Sequence, residues 1–245
     1  MRRELTLGVD LASDPKKTGV CVVEWEDRLA RVKELEVGAD DDKILDLHRG
    51  CDATGIDAPF GWPIAFVDFL CGKQLPSPKS WGPGRRDELR FRLTDFRVRE
   101  MTGRWPLSVS TDLIGVPALR CAGLLEGMGV ADRSGDGRVY EVYPASALRV
   151  WGLRSTGYKG PKKRAERKSI WADLERQMPW LGLADAGMAS LLLDSDDALD
   201  ALIAALVTRG AKVALTICPT EEERPRAKSE GWIHVPVENS LGQLV

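Results

Sequence analysis

The sequence predicts an α/β fold around a mixed sheet, in which three antiparallel strands are followed by parallel strands and helices cover the faces. The first observation is that two apolar segments, residues 5–10 and 53–57, each end on an aspartate. The second is that two alternating segments and one helical segment lie between them. A right-handed crossover through that helix would return the chain parallel to the first strand.

The individual elements follow from hydrophobic periodicity and from helix-end signals. Residues 18–25 are a largely apolar segment and residues 30–37 alternate in polarity, and their short connections predict the second and third strands. Residues 40–50 combine apolar residues at helical spacing with acids in the first turn, which is typical of an amphipathic helix. The same signals predict helices at 113–128, 165–178 and 191–206, a strand at 138–143, and a terminal strand pair at 212–217 and 232–236.

One long segment does not belong to the predicted sheet. Residues 58–112 are too many for a structureless connection inside a compact domain, so we expect a helical insertion that caps the crevice at the strand ends. Helices are expected around 64–70 and 88–102. Residues 1–245 would then form one domain that carries this insertion.

Composition narrows the possible chemistry. The chain has 245 residues, 43% hydrophobic and 29% charged, with a net charge of −2, as in an ordinary soluble domain. Its five cysteines form no CxxC pair and its two histidines lie in no motif, which argues against a disulfide framework, a zinc site and a His-based triad. The lack of a transmembrane-length apolar run and of a signal-peptide segment predicts a cytoplasmic protein without a membrane partner.

Carboxylates are therefore the candidate chemical groups. Asp10 and Asp57 close two predicted parallel strands, and ligands of open α/β sheets bind at the carboxyl ends of strands. A third acidic group, Asp196, Asp197 and Asp200, lies in the predicted helix. Helix capping explains acids in the first turn but not Asp200, which lies beyond that turn among apolar residues. Because an unpaired buried carboxylate is costly, we expect a bound cation.

Acids from distant segments that meet at one place are typical of two-metal phosphodiesterases. We expect Asp10 to bridge two ions, Asp57 and Asp200 to be outer ligands, and Asp197 or Glu141 to take the remaining position. Glu141 is a candidate because it lies near the end of a further predicted strand, although it could instead face solvent on an edge strand. All-oxygen ligation favours Mg²⁺ or Mn²⁺.

Short phrases spread along the chain resemble domain-of-unknown-function family 429. In chain order they are GVDLA at 8–12, IDAPFGWP at 56–63, RLTD at 92–95, EVYP at 141–144, DDALDA at 196–201 and EGWI at 230–233. That family is described as predicted nucleases of ribonuclease H fold. The predicted order of strands and helix, with acids closing the first and fourth strands, is similar to the same fold. The resemblance covers most of the chain and implies a ribonuclease H-like nuclease.

Two basic segments could contact phosphate groups or could be solvated surfaces. Seven arginines lie between Arg85 and Arg104, and seven basic residues lie between Arg154 and Lys168. The second segment contains Lys159 beside a glycine, and this position together with the resemblance suggests that Lys159 reaches the crevice.

The first basic segment contains a mixture of charged and hydroxyl groups. Pairing with Asp95 would orient the guanidinium of Arg92 or Arg97 to hold a phosphate bidentately. A surface charge pattern at helical spacing is the simpler explanation. The family resemblance favours a substrate-binding role for Arg92 and Thr94.

The leading hypothesis is a metal-dependent nuclease or phosphodiesterase, a hydrolase acting on nucleic acid or on a nucleotide. One alternative is an actin-like ATP-binding phosphotransferase, since residues 10–13 with Thr18 and Gly19 crudely resemble a phosphate loop. Another is a non-catalytic nucleic-acid- or nucleotide-binding protein whose acids hold a structural ion. The sequence leaves open DNA, RNA or a small phosphoester as substrate, and a monomer or a homodimer as the assembly.

Overall fold

A six-stranded mixed sheet forms the centre of the computed structural model, which describes residues 3–73 and 81–245. The strands are β1 Glu4–Asp10, β2 Gly19–Glu26, β3 Leu29–Val37, β4 Ala53–Asp57, β5 Val139–Glu141 and β6 Leu181–Leu183. The α-helices of the described residues are α1 Asp41–Gly50, α2 Ile64–Leu70, α3 Pro83–Arg90, α4 Leu93–Thr102, α5 Gly115–Gly127, α6 Pro144–Val150, α7 Arg164–Gln177, α8 Ala186–Asp194, α9 Asp196–Lys212 and α10 Arg224–Glu230.

The strand order is β5-β4-β1-β2-β3-β6. β1 pairs antiparallel with β2, and β2 pairs antiparallel with β3. On the other side β1 pairs parallel with β4, and β4 pairs parallel with β5. The predicted α/β class, with antiparallel strands followed by parallel ones, is therefore confirmed. The register sets Asp10 directly opposite Asp57 across the β1–β4 pair.

Both faces of the sheet are covered by helices. On one face α9 lies at the centre of a core that includes residues of α6, α7 and α8. On the other face, apolar residues of α1 and α5 pack against β1, β2 and β4. Because both faces are covered, the central strands β1, β2 and β4 are buried along almost their whole length.

Helix α9 approaches the sheet so closely that its backbone touches the strands. A Cβ atom at Gly8 would lie 2.1 Å from the carbonyl oxygen of Ala201, and one at Gly19 would lie 2.3 Å from that of Asp197. Only glycine leaves room for such an approach. The contact at Gly8 and Gly19 brings the first two turns of α9 next to the ends of β1 and β2.

Several predicted boundaries differ from the observed ones. The expected helix at 88–102 is divided into α3 and α4 by an extended backbone at Phe91 and Arg92. The expected helix at 191–206 is divided at Ser195, whose side chain caps α9 by accepting a hydrogen bond from the Ala198 amide. The strand β6, which pairs parallel with β3, was not predicted.

The expected terminal strand pair at 212–217 and 232–236 is wrong in detail. Lys212 ends α9, and the two segments meet only at an isolated antiparallel bridge between Thr216 and Pro236. Ile233 instead forms a parallel bridge with Glu141, so this segment continues the sheet beyond β5.

The insertion at 58–112 contains α2, α3 and α4 among its described residues. Residues 74–80 of this segment lie outside the part that the structure describes. Among the described helices, none combines the length and hydrophobicity of a transmembrane span.

Candidate metal centre

Three aspartates from distant parts of the chain meet at the carboxyl ends of β1 and β4. Asp10, Asp57 and Asp200 each offer a carboxylate oxygen, and these oxygens lie within 4.8 Å of one another. The parallel register places the first two side by side, and the close packing of α9 on Gly8 supplies the third. We call these three residues the aspartate triad.

Burial and mutual repulsion shift the protonation of the triad. Burial raises the pKa of Asp10 well above its ordinary value, and the charges of Asp200 and Asp57 raise it further. Burial also raises the pKa of Asp57 to about 7, although Lys159 opposes this shift. Carboxylates held close together without full compensation are a common property of functional sites.

Lys159 contacts the triad directly. Its Nζ lies 2.6 Å from Oδ2 of Asp200, and the charge of Asp200 raises the pKa of this lysine. The Asp200 side chain is fully buried, whereas that of Lys159 is 55% exposed. Within the described residues, Oδ2 of Asp200 accepts no well-oriented hydrogen bond, so the ion pair with Lys159 is its one polar contact. The ammonium therefore lies where a cation would neutralise the triad.

The other oxygen of Asp200 is held by a tyrosine. The hydroxyl of the buried Tyr158 donates a hydrogen bond of 2.8 Å to Oδ1 of Asp200. Burial and the charge of Asp200 raise the pKa of Tyr158, so the phenol stays protonated and remains a donor. Tyr158 thus fixes one carboxylate oxygen and leaves Oδ2 directed toward Lys159.

A buried arginine positions the loop that carries Tyr158 and Lys159. Nη1 of Arg167 donates to the carbonyl oxygens of Tyr158 and Gly160, each at 2.8 Å. Its Nε and Nη2 donate to the carbonyls of Leu193 and Asp194 at the end of α8. Arg167 therefore ties the loop to the helix pair that presents Asp200.

The sequence analysis grouped Arg167 with the other basic residues of this segment, although its spacing from the apolar residues of α7 indicates a buried position. Arg167 lies three, four and seven residues before Ile170, Trp171 and Leu174, which are the buried residues of α7. That spacing places Arg167 on the apolar face of the helix. A charged residue on such a face requires internal partners, which here are backbone carbonyls.

The acids at the start of α9 have separate roles. Oδ1 of Asp196 accepts a hydrogen bond from the Gly160 amide at 3.0 Å, which adds a second tie to the loop. Asp197 is half-buried in the first turn of α9, three residues before Asp200, and its carbonyl packs against Gly19 beside the end of β1. The pKa of Asp197 is raised, by burial first and then by Asp196 and Asp200. Asp197 remains a candidate for a further ligand.

Glu141 lies in a second buried cluster, centred on Arg92. Every N–H of the Arg92 guanidinium has an acceptor: both carboxylate oxygens of Asp95, both of Glu141, and the carbonyl of Glu230. Oε2 of Glu141 also accepts the Phe60 amide at 3.0 Å. Burial raises the pKa of Glu141 even though Arg92 opposes the shift. We call Arg92, Asp95 and Glu141 the arginine cluster.

The residues predicted to bind substrate fall into two groups, those paired within the protein and one that contacts the triad. Arg92 is 2% exposed and has no N–H group left for a phosphate, and Oγ1 of Thr94 accepts the backbone amide of Ile233 at 2.8 Å. Arg97 pairs with Glu223 and Glu100. None of these three contacts a member of the triad, although Arg92 lines the cavity beside it. Lys159 is the member of the predicted set that reaches it.

A cavity of about 270 Å³ opens beside the triad. Asp57 and Lys159 form one part of its wall, and Pro106, Leu107 and Ile114 form an apolar part. Residues of the insertion therefore line the space into which a ligand of the triad would extend.

The fold and the site define a class of protein: an α/β domain that gathers carboxylates from the ends of two parallel strands and from a buried helix. The chain belongs to the family described as Protein of unknown function (DUF429), whose model matches residues 8–224. The matched range contains the whole triad, and the family predicted from the sequence phrases is confirmed. No curated protein and no solved structure matches the chain.

Proposed function

We propose that this protein is a metal-dependent phosphodiesterase of ribonuclease H-like fold that hydrolyses a phosphodiester in nucleic acid or in a nucleotide. The support from the fold is the strand order, with three antiparallel strands leading to parallel β4 and β5. The support from the site is that acids close β1 and β4 while a third comes from α9.

The observation that carries the proposal is the uncompensated charge of the triad. Three carboxylates lie within 4.8 Å of one another, and Lys159 is the cation that contacts them among the described residues. Their oxygens are hard ligands of the kind that Mg²⁺ and Mn²⁺ prefer. Asp10, Asp57 and Asp200 would hold the metal, with Asp197 completing the set. Bound Mg²⁺ or Mn²⁺ supplies Lewis-acid activation of water and stabilises the leaving oxygen.

The protein's own residues have distinct tasks in this mechanism. Tyr158 fixes Oδ1 of Asp200, so the carboxylate keeps one orientation and its other oxygen would be available to hold a metal. Lys159, whose side chain is about half exposed, would be released from Oδ2 if a metal took its place and could then contact a phosphate oxygen. Arg167 and Asp196 hold the loop so that Lys159 stays close to the reacting phosphate.

The decisive experiment is cleavage of end-labelled single-stranded DNA and RNA oligonucleotides with Mg²⁺, Mn²⁺ or EDTA. We expect cleavage with either metal, none with EDTA, and none with Asp200→Asn. Asp27→Asn is a matched control, because Asp27 is an exposed acid in the turn between β2 and β3, at the end of the sheet opposite Asp10. Cleavage that persists in Asp200→Asn would trace the activity to a contaminant and overturn the proposal.

Other outcomes of these experiments distinguish the two alternative functions. Binding of Mn²⁺ by the wild type but not by Asp200→Asn, without cleavage of any phosphodiester, would indicate a structural ion. Hydrolysis of ATP with no oligonucleotide cleavage would favour the phosphotransferase. Calorimetric titration with Mn²⁺ and a phosphate-release assay with ATP distinguish these cases.

A further inference from the structure

A second, smaller cavity adjoins the one beside the triad. It has a volume of about 140 Å³, and Arg104, Arg149, Ser155 and Thr156 line it. Tyr143 and Ala145 belong to the walls of both cavities. A ligand that passes over these two residues would therefore contact Asp57 and Lys159 at one end and the two arginines at the other.

The charge of the second cavity is positive and unbalanced. No acidic residue lines it, and in the described part of the chain neither Arg104 nor Arg149 has an acid within 4.0 Å. Most other arginines near the insertion are paired, including Arg92 and Arg97. Two guanidinium groups with free donors in one pocket are suited to a phosphate group, which they bind through several parallel hydrogen bonds.

The fold holds the two arginines in place from different elements. Arg104 follows Gly103, which ends α4 with a left-handed φ of 72°, and its amide is bonded to Oγ1 of Thr102. Arg149 lies in the last turn of α6, and its Nη2 is 3.9 Å from the position of a Cβ on Gly103. Glycine at 103 permits the left-handed backbone that ends α4, and the Arg149 guanidinium lies within van der Waals distance of this turn.

We propose that Arg104 and Arg149 bind a backbone phosphate next to the one that reacts at the triad. This inference rests on the proposed function and narrows it, because a substrate that fills both sites must carry two phosphates joined by a nucleoside. The substrate class is then a polynucleotide rather than a mononucleotide. The hydroxyls of Ser155 and Thr156 add uncharged donors to the same phosphate.

The test is the salt dependence of oligonucleotide binding in EDTA, where no cleavage occurs. Fluorescence anisotropy with labelled oligothymidylate and oligouridylate measures the affinity over a range of KCl concentrations. For single strands the logarithm of the binding constant falls by about 0.7 per tenfold rise in salt for each phosphate contact. We expect the double variant Arg104→Gln and Arg149→Gln to bind roughly tenfold more weakly and to reduce this slope by about 0.7.

A charge-matched control and a folding check accompany this test. Arg28→Gln removes an exposed arginine in the turn between β2 and β3, at the end of the sheet opposite Asp10, and should leave affinity and slope unchanged. Thermal unfolding of the double variant should match that of the wild type, and each single variant should show an intermediate affinity. If the double variant is folded and the salt dependence of its binding constant is unchanged, the inference is wrong.

Two further results separate this inference from the proposed function. Asp200→Asn should retain oligonucleotide binding and its salt slope in EDTA, so loss of cleavage alone leaves the arginine pocket supported. Competition with uridine 5′-diphosphate checks the substrate class. If the diphosphate displaces the oligonucleotide at equal concentration, the polynucleotide assignment is wrong even where cleavage is observed.

Discussion

The aspartate triad and the arginine cluster both bury carboxylates near the ends of parallel strands, yet they balance charge differently. In the cluster, the guanidinium of Arg92 uses all of its donors on Asp95, Glu141 and a carbonyl. In the triad, three carboxylates share one partly exposed ammonium. Removing one partner from a fully hydrogen-bonded buried network destabilises the fold, whereas carboxylates that share few donors favour the binding of a further cation. Mutations in the arginine cluster should therefore reduce mainly stability, and mutations in the triad mainly activity.

The largest expected effect is on stability, at the arginine cluster. Arg92→Met leaves Asp95 and Glu141 buried without their partner, and breaking such a pair costs about 3–5 kcal/mol of unfolding free energy. Denaturant unfolding followed by circular dichroism measures this loss. Arg97→Met, which removes a 44% exposed side chain, should cost less than about 1 kcal/mol. Equal losses in the two variants would show that the cluster has no special role in the fold.

At the triad, the corresponding change should act on activity. Asp200→Asn keeps the shape of the side chain and the hydrogen bond from Tyr158 but removes a proposed metal ligand. We expect cleavage to fall at least about 100-fold, since even residues behind metal ligands contribute 10–100-fold. The melting temperature in EDTA should not fall, because a repelling charge is removed. A variant that unfolds as readily as Arg92→Met would contradict the contrast between the two sites.

The pH dependence of stability provides a third comparison. The pKa of Asp57 is raised from 3.8 to about 7, so the folded protein holds this proton more tightly than the unfolded chain does. In EDTA the contribution of Asp57 to stability is therefore present below about pH 4 and is lost as the pH rises toward 7. Asp10 acts in the same direction.

Melting temperatures measured from pH 4 to 8 in EDTA test this sign. Asp57→Asn should flatten the decline, and Mg²⁺ should stabilise the wild type most above pH 7, where the carboxylates are free to bind it. Parallel pH profiles for the wild type and Asp57→Asn would show that the pKa of this carboxyl group is not raised in the folded protein.

The smallest expected effect concerns Lys159. Its ammonium would compete with the proposed metal for Oδ2 of Asp200, so Lys159→Met should bind Mn²⁺ several-fold more tightly while cleaving more slowly. Isothermal titration calorimetry measures the affinity. Lys168→Met, which removes an exposed lysine of α7, serves as the control and should bind Mn²⁺ as the wild type does. Weaker Mn²⁺ binding in Lys159→Met would mean that the lysine supports the metal site instead of competing with it.

The sequence was sufficient for the triad because each member lies at a position with a readable signal. Asp10 and Asp57 end apolar strands that a crossover makes parallel, and Asp200 is a charged residue among apolar neighbours in a helix. The prediction that the three aspartates lie close together required one assumption, that this helix packs on the sheet. The glycine contact at Gly8 shows why the packing is close enough.

The sequence was not sufficient where the partner of a residue lies far along the chain. Arg92 looked like a phosphate ligand because Glu141, 49 residues away, gave no local sign of pairing with it. The backbone amide that Thr94 binds belongs to Ile233, and Arg167 binds carbonyls of two separate segments. Tertiary hydrogen bonds of this kind leave no periodic pattern, and the three-residue strand β6 is too short to produce one.

The backbone contact between α9 and the strands at Gly8 and Gly19 has a consequence for how the protein tolerates change. No side chain separates the helix from β1 at this point, so main-chain atoms set the spacing between the start of α9 and the end of β1. A single added methyl group at either glycine would displace α9, and Asp200 with it, from the position opposite Asp10.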